Sequence, residues 1–125
     1  MLRLAEFIAN KYKKVAEIGI GNYTEVAEFL ISRGVDVIAT DIRPVREKRF
    51  KFFIDDIRNP NIQLYSDVEL VYSIRPPPEL FSFIKTLANK LDADCIIKPL
   101  YGDYADTELV NYKGLAFYLW RRNNF

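Results

Sequence analysis

The sequence predicts an open α/β sheet, mostly parallel, of about six strands with helices on both faces. Three observations lead there. Short apolar runs rich in Val and Ile recur along the chain with little strict alternation, as in strands buried on both faces. Helical patterns separate several of these runs. The first run passes through two glycines directly into a helical pattern, in the stretch VAEIGIGNYTEVAEFL from Val15 to Leu30. With 125 residues, half of them hydrophobic, the chain has the size of one domain (1–125) and enough apolar material for a core.

Each element follows from local pattern. Leu4, Ile8 and Tyr12 recur at helical spacing, with Ala5 and Ala9 beside them, which predicts a helix over 3–13. Val15 to Ile18 is a first strand between two lysines and Gly19. Asn22 begins the next helix as N-cap, and Glu25 gives a capping-box spacing. Val26, Ala27, Leu30 and Ile31 line its apolar face, and Gly34 stops it. Val35 to Thr40 is a second strand, Phe50 to Ile54 a third and Val68 to Ser73 a fourth. The link 42–49 is short for a crossover helix and reads as irregular. Asn59-Pro60-Asn61 is a turn. Arg75-Pro76-Pro77-Pro78 closes the fourth strand, and a helix over 78–91 follows, with its prolines where missing amide donors matter least. Ala93 to Lys98 is a fifth strand, 106–112 a short helix and Leu115 to Trp120 a sixth strand.

Composition excludes several functions. Eighteen basic and 17 acidic residues leave a net charge of +1, so no global charge steers the chain to nucleic acid or an anionic membrane. The absence of histidine removes Ser-His-Asp chemistry and histidine acid–base catalysis. With Cys95 as the one cysteine, no disulfide framework forms and no four-ligand zinc site is expected; Cys95 itself reads as an inert core residue. No metal site is expected. No apolar run approaches the length of a spanning helix and no leader is visible at the N-terminus, so the expected location is cytoplasmic. Abundant Ile, Lys, Arg, Glu and Tyr with one Gln lean toward a heat-adapted source.

Function is expected at the strand ends, because open α/β sheets bind ligands beyond the carboxyl ends of their strands, where strand order reverses. The ends carry Gly19 and Gly21, then Asp41, then Asp55-Asp56, then Ser73 and Arg75. Gly19 allows a sharp turn and Gly21 a close backbone approach. Asp41 follows the glycines by about 20 residues, the distance at which a carboxylate accepts from ribose hydroxyls. Asp56 can accept from the exocyclic amine of an adenine, with Ile42 and Ile57 against the ring faces.

Glu17-Ile18-Gly19-Ile20-Gly21 resembles the first motif of the class I S-adenosylmethionine (SAM) dependent methyltransferases: an acidic residue, any residue, glycine, any residue, glycine. Asp41 matches that family's ribose-binding acidic residue, and Asp56-Ile57 its adenine-contacting position. The whole chain is similar to a small uncharacterised archaeal family of Rossmann-like proteins related to these enzymes. The resemblance implies a Rossmann-like fold and SAM as cofactor. Glu17 would hold the methionine amine, Gly19 and Gly21 admit the donor, Asp41 bind ribose and Asp56 adenine. Ser73 and Arg75, the candidate catalytic residues, would lie near the acceptor. One departure stands out: where aminomethyltransferases carry Asn/Asp-Pro-Pro-aromatic, this chain has Ser73-Ile74-Arg75-Pro76-Pro77-Pro78, which argues against an amino acceptor.

NAD is the rival cofactor, in a non-catalytic regulatory module; a ligand-free scaffold is the third reading. The dinucleotide fingerprint asks for a third glycine where Thr24 stands, and Glu17 would repel a pyrophosphate. Asp41 disfavours NADP, although Arg43 beside it acts the other way. The basic run Arg43, Arg46, Lys48, Arg49 and Lys51, broken by Glu47, offers a weak, salt-sensitive RNA contact; its plainer role is a solvated loop. Among the tyrosines, Tyr72 and Tyr101 are placed to wall a pocket. An unpaired run 115–120 would be an aggregation-prone edge, so it pairs inside the sheet or at a homodimer interface.

Overall fold

The structure, a computed structural model, describes residues 1–46, 49–100 and 105–122. Its elements are α1 (Leu2–Lys11), β1 (Lys14–Ile18), α2 (Glu25–Ser32), β2 (Asp36–Asp41), β3 (Lys51–Ile54), β4 (Leu70–Ile74), α3 (Phe81–Lys90), β5 (Asp94–Lys98), β6 (Glu108–Tyr112) and β7 (Leu115–Trp120). Single 3₁₀ turns cover Ile62–Tyr65 and Pro78–Leu80. The strands form one seven-stranded sheet in the order β3-β2-β1-β4-β5-β7-β6. β1 pairs parallel with β2 on one side and with β4 on the other. The order therefore runs outward in one direction from β1 to β3 and in the other from β4, and the crevice between β1 and β4 is the switch point.

Helices cover both faces. α1 and α2 share one, where Leu4, Ala5, Phe7 and Ile8 pack with Val26, Ala27 and Leu30 over Val15, Val37, Leu70, Ile96 and Phe117. α3 covers the other, its Ile84, Leu87 and Ala88 lying over Ala16, Val71, Cys95 and Ile97. Successive strand residues point to opposite faces, so both sets come from the same short apolar strands. Val35 N–H bonds the Leu30 carbonyl and Gly34 N–H that of Ile31, both at 3.0 Å, which closes α2 where Gly34 predicts its end. The α3 end has the same paired closure, with Ala93 on Ala88 and Asp92 on Asn89.

Two expectations about local structure are corrected. Residues 108–112 form an edge strand, not a helix, and the sheet has seven strands. The deciding signal is Lys113-Gly114, a two-residue loop with φ of 50° and 88° that joins β6 and β7 in register Tyr112↔Leu115. Positive φ at both central residues gives the hairpin its strand-matching twist. β6 lies at the edge, with Val110 and Tyr112 half-buried and the apolar Leu109 exposed, so its sequence does not alternate as its burial does. Second, α2 begins at Glu25 with Thr24 as N-cap, and Asn22 lies in a preceding turn. The Thr24 hydroxyl donates to Glu28 Oε2 at 2.7 Å, one helical turn on. No helix occurs among the described residues linking β2 to β3, as the short connection predicts.

β7 is paired on both sides, to β5 and to β6, so the run 115–120 is inside the sheet. α1 locks the hairpin to the rest of the molecule. The Phe7 ring meets Phe117 edge-on at 5.0 Å and Tyr112 at 5.5 Å, and the Tyr112 hydroxyl donates to Glu6 at 3.0 Å. Among the described residues no helix is long and apolar enough to cross a membrane. Phe117→Ala is expected to cost about 3–5 kcal/mol of unfolding free energy. An unfolding free energy from urea titration that falls by less than a third of that would show that α1 does not clamp the hairpin.

Candidate functional site

The loop after β1 is held by its own backbone. Gly19 and Ile20 N–H both donate to the Thr40 carbonyl, at 2.9 and 3.2 Å. Gly21 N–H donates to Asp41 Oδ2 at 2.8 Å. Three consecutive amides are thus fixed on the end of β2. Gly19 and Gly21 stand at φ of 70° and 55°, and a Cβ at either would meet nothing within 4 Å. Glycine is needed here for its left-handed backbone, not for room.

A cleft of about 230 Å³ opens beside this loop, on the α3 face of the sheet. Gly19, Asp41, Ile42, Asp56 and Ile57 line one side, and Ser73, Arg75, Pro76, Pro77, Leu80 and Ile84 the other. A second hollow, lined by Gly21, Asn22 and Asp41 to Val45, adjoins it across Asp41. Asp41 Oδ2 takes the Gly21 amide and Oδ1 the Arg43 amide at 3.1 Å. A carboxylate has about four acceptor positions, so two remain for a ligand. Asp56 is exposed and accepts one amide, from Arg58 at 2.9 Å. Two apolar side chains of the lining accompany the acidic residues, Ile42 at 61% exposed and Ile57 at 9%.

The structure brings Gly19, Asp41, Asp56, Ser73 and Arg75 to this cleft, and places Glu17 elsewhere. Glu17 is 1% exposed on the α1/α2 face, where Tyr72 donates its hydroxyl to Oε1 at 2.6 Å. Burial pushes the Glu17 carboxyl up to about 8, against a smaller opposing effect of the Tyr72 bond. It is therefore largely protonated at neutral pH. Burial and the adjacent Glu17 push the Tyr72 phenol well above its usual range. Tyr72, expected as a pocket wall, is instead fully buried. Ser73 is 2% exposed and donates to the Ile18 carbonyl at 2.8 Å, tying β4 to β1 at the switch point.

Sequence reasoning missed the groups that brace the site. Asp55 is more fully engaged than Asp56: it accepts the Asn61 amide at 3.0 Å and the Tyr65 hydroxyl. Tyr65 is fully buried and lies 3.2 Å from Thr40 Oγ1, which links the ends of β2 and β3. Burial, then the Asp55 bond, raises its phenol, which keeps it a donor. Tyr23 lies under Arg75, whose guanidinium is 5.8 Å from the ring centroid. A polar residue ending an apolar strand, as Thr40 does, was the one available signal. In the basic run, Arg49 is paired with Glu28 at 3.4 Å, while Lys48 and Tyr101 lie outside the described residues.

Sheet order and the glycine loop define the fold class: a Rossmann-like α/β domain with the sheet architecture found in SAM-dependent methyltransferases. Solved structures agree in fold. One is a SAM-dependent methyltransferase from Archaeoglobus fulgidus (TM-score 0.60, 19% identity), covering 78% of this chain and 50% of that one. Another is a Burkholderia thailandensis 1,6-didemethyltoxoflavin-N1-methyltransferase with bound S-adenosylhomocysteine (TM-score 0.56, 14% identity), covering 98% and 61%. The chain thus spans half to three-fifths of those enzymes. It belongs to the uncharacterised protein family UPF0146, whose model matches residues 1–122. The UPF0146 protein of Archaeoglobus fulgidus is 51% identical over 127 residues, covering 100% of this chain and 98% of that protein.

The buried Glu17 makes stability depend on pH. Its proton is bound more tightly in the folded chain than in the unfolded chain. This contribution is complete below the usual carboxylate range and is lost as pH rises through about 8. Glu17→Gln, a neutral isostere, is expected to flatten the decline of stability between pH 5 and 8, which is at most ~1.4 kcal/mol per pH unit for one proton. Denaturant midpoints across that range, identical in slope for both proteins, would contradict the assignment.

Proposed function

We propose that this protein binds SAM in the cleft after β1 and β2 and acts in methyl transfer as a minimal member of the methyltransferase class. One observation carries the reading: Asp41, pinned by two backbone amides, keeps two acceptor positions and lines a cleft that also holds Gly19, Asp56, Ile42 and Ile57. A ribose diol needs two such acceptors, an adenine amine needs one, and its ring needs apolar faces. The residues present fit an adenosine.

They fit a dinucleotide pyrophosphate less well. The amides of Gly19, Ile20 and Gly21 are bonded within the protein and unavailable to phosphate oxygens. The first turn of α2 carries Glu25 and Glu28, which oppose a second anion at that helix end. When bound, SAM supplies a methyl group on a positively charged sulfur, open to in-line displacement. The chain's part is to hold the adenosine on Asp41 and Asp56, to fix the crevice width through Ser73 on Ile18, and to keep water from the α3 side with Pro76, Pro77, Leu80 and Ile84. Such positioning requires no histidine. Glu17, protonated and held by Tyr72, supports the strand under the loop in this reading.

Calorimetry with SAM, S-adenosylhomocysteine and NAD tests the proposal. S-adenosylhomocysteine is expected to bind more tightly than NAD, and Asp41→Ala to weaken it at least tenfold, or by about 1.4 kcal/mol. Dissociation constants above about 1 mM for both SAM and its product would end the reading. Tighter binding of NAD would reassign the cleft.

A further inference from the structure

Arg75 is an anomaly at the switch point. It follows β4 directly and adopts a φ of 54°, a left-handed conformation that side chains with a Cβ seldom take. It also precedes Pro76, which disfavours the right-handed helical alternative. Its amide donates to the Lys98 carbonyl at 2.7 Å and Pro76 is buried, so the surrounding chain enforces the conformation. Strain of this kind in a non-glycine residue concentrates at functional sites. The side chain it positions is exposed, and its guanidinium stands over the Tyr23 ring at 5.8 Å. The Tyr23 hydroxyl is itself bonded to Glu25 at 3.2 Å, so the platform is braced from α2. Tyr23 and Arg75 thereby span the crevice from the β1 loop to the β4 loop.

Among the described residues Arg75 forms no ion pair, although Asp41, Asp55 and Asp56 line the same cleft. Those carboxylates accept from Gly21, Arg43, Asn61, Tyr65 and Arg58, on the β2 and β3 side. The cleft is thus acidic at one end and carries at the other a guanidinium that is unpaired among the described residues. A guanidinium resting on an aromatic face keeps its planar fork of N–H donors, which matches a carboxylate or phosphate two bonds at a time.

We propose that Arg75, seated on Tyr23, is an anion receptor at the β1–β4 crevice that takes a carboxylate or phosphate group of a bound substrate. This deepens the SAM reading and rests on it for what the anion belongs to. Two sources share the chemistry: the acceptor, and the amino-acid carboxylate of the methyl donor. An anion on Arg75 also offsets the repulsion between the guanidinium and a cationic donor in one crevice.

Inorganic phosphate titrated into the ligand-free protein, followed by the arginine Nε–H NMR signals, tests the receptor without reference to SAM. Arg75→Gly is the variant of choice, because glycine suits the left-handed backbone and the fold is retained. It is expected to melt no lower than the parent chain and to bind phosphate at least tenfold more weakly, with Arg75→Lys between the two. S-adenosylhomocysteine and 5′-methylthioadenosine, which lacks the amino-acid part, then identify the source. If Arg75→Gly weakens the first tenfold and spares the second, the anion is the donor's carboxylate. If it spares both, yet abolishes phosphate uptake by protein saturated with S-adenosylhomocysteine, the anion belongs to the acceptor. A parent chain that takes up no phosphate, or a variant with unchanged affinity for phosphate and for S-adenosylhomocysteine, overturns the proposal. A parent chain that binds phosphate but neither adenosine compound overturns the SAM reading and leaves the receptor standing.

Discussion

Three consecutive amides and the end of one strand hold the site together. The Thr40 carbonyl receives Gly19 and Ile20, and the Asp41 carboxylate receives Gly21, so the loop after β1 is fastened to β2 before any ligand is considered. This works only because β1 and β2 are adjacent and parallel in register, with Ile18 beside Thr40. Both carboxyl ends then emerge at the same height. The fastening also decides what the loop can bind. Amides pointing at Thr40 and Asp41 are not turned toward an oxyanion, so recognition passes to side-chain carboxylates and apolar walls.

A second layer of fixed polar groups supports this edge from below. Ser73 bonds the Ile18 carbonyl and joins β4 to β1, Tyr65 joins Asp55 to the end of β2, and Tyr72 holds Glu17. All three donors are buried, where an unpartnered hydroxyl is costly, and each therefore favours one relative placement of its strands. Glu17 is the exception in charge. A carboxyl on the closed α1/α2 face avoids ionisation by keeping its proton, so the acidic residue of the glycine motif behaves here as a neutral hydrogen-bonding group.

Most of the fold was legible because the central strands are buried on both faces and their short runs are mostly apolar. The exceptions have local causes. β6 lies at the sheet edge, half solvated, and Glu108 to Tyr112 carries too little apolar signal to tell strand from helix. Its identity is set by the left-handed Lys113-Gly114 turn and by the hairpin pairing with β7 that this turn closes. The α2 cap moved from Asn22 to Thr24 because the left-handed Gly21 and the Tyr23–Ile20 bond extend the loop by a turn. Both residue types cap helices well, so propensity alone could not separate them.

The sequence by itself determined which residues could serve the site: glycines where the backbone turns left-handed, acidic residues at the ends of two strands, and a serine and an arginine at the end of another. It determined these because strand length and strand end are local properties of an apolar run. Only the tertiary structure decided which way each side chain faces. Alternation along β1 turns Glu17 away from the cleft and Ile18 toward it, and alternation along β4 buries Tyr72 opposite Ser73. A period of two fixes the difference between neighbours, but the choice of face depends on which helix packs on which side of the sheet, and no stretch of sequence contains that.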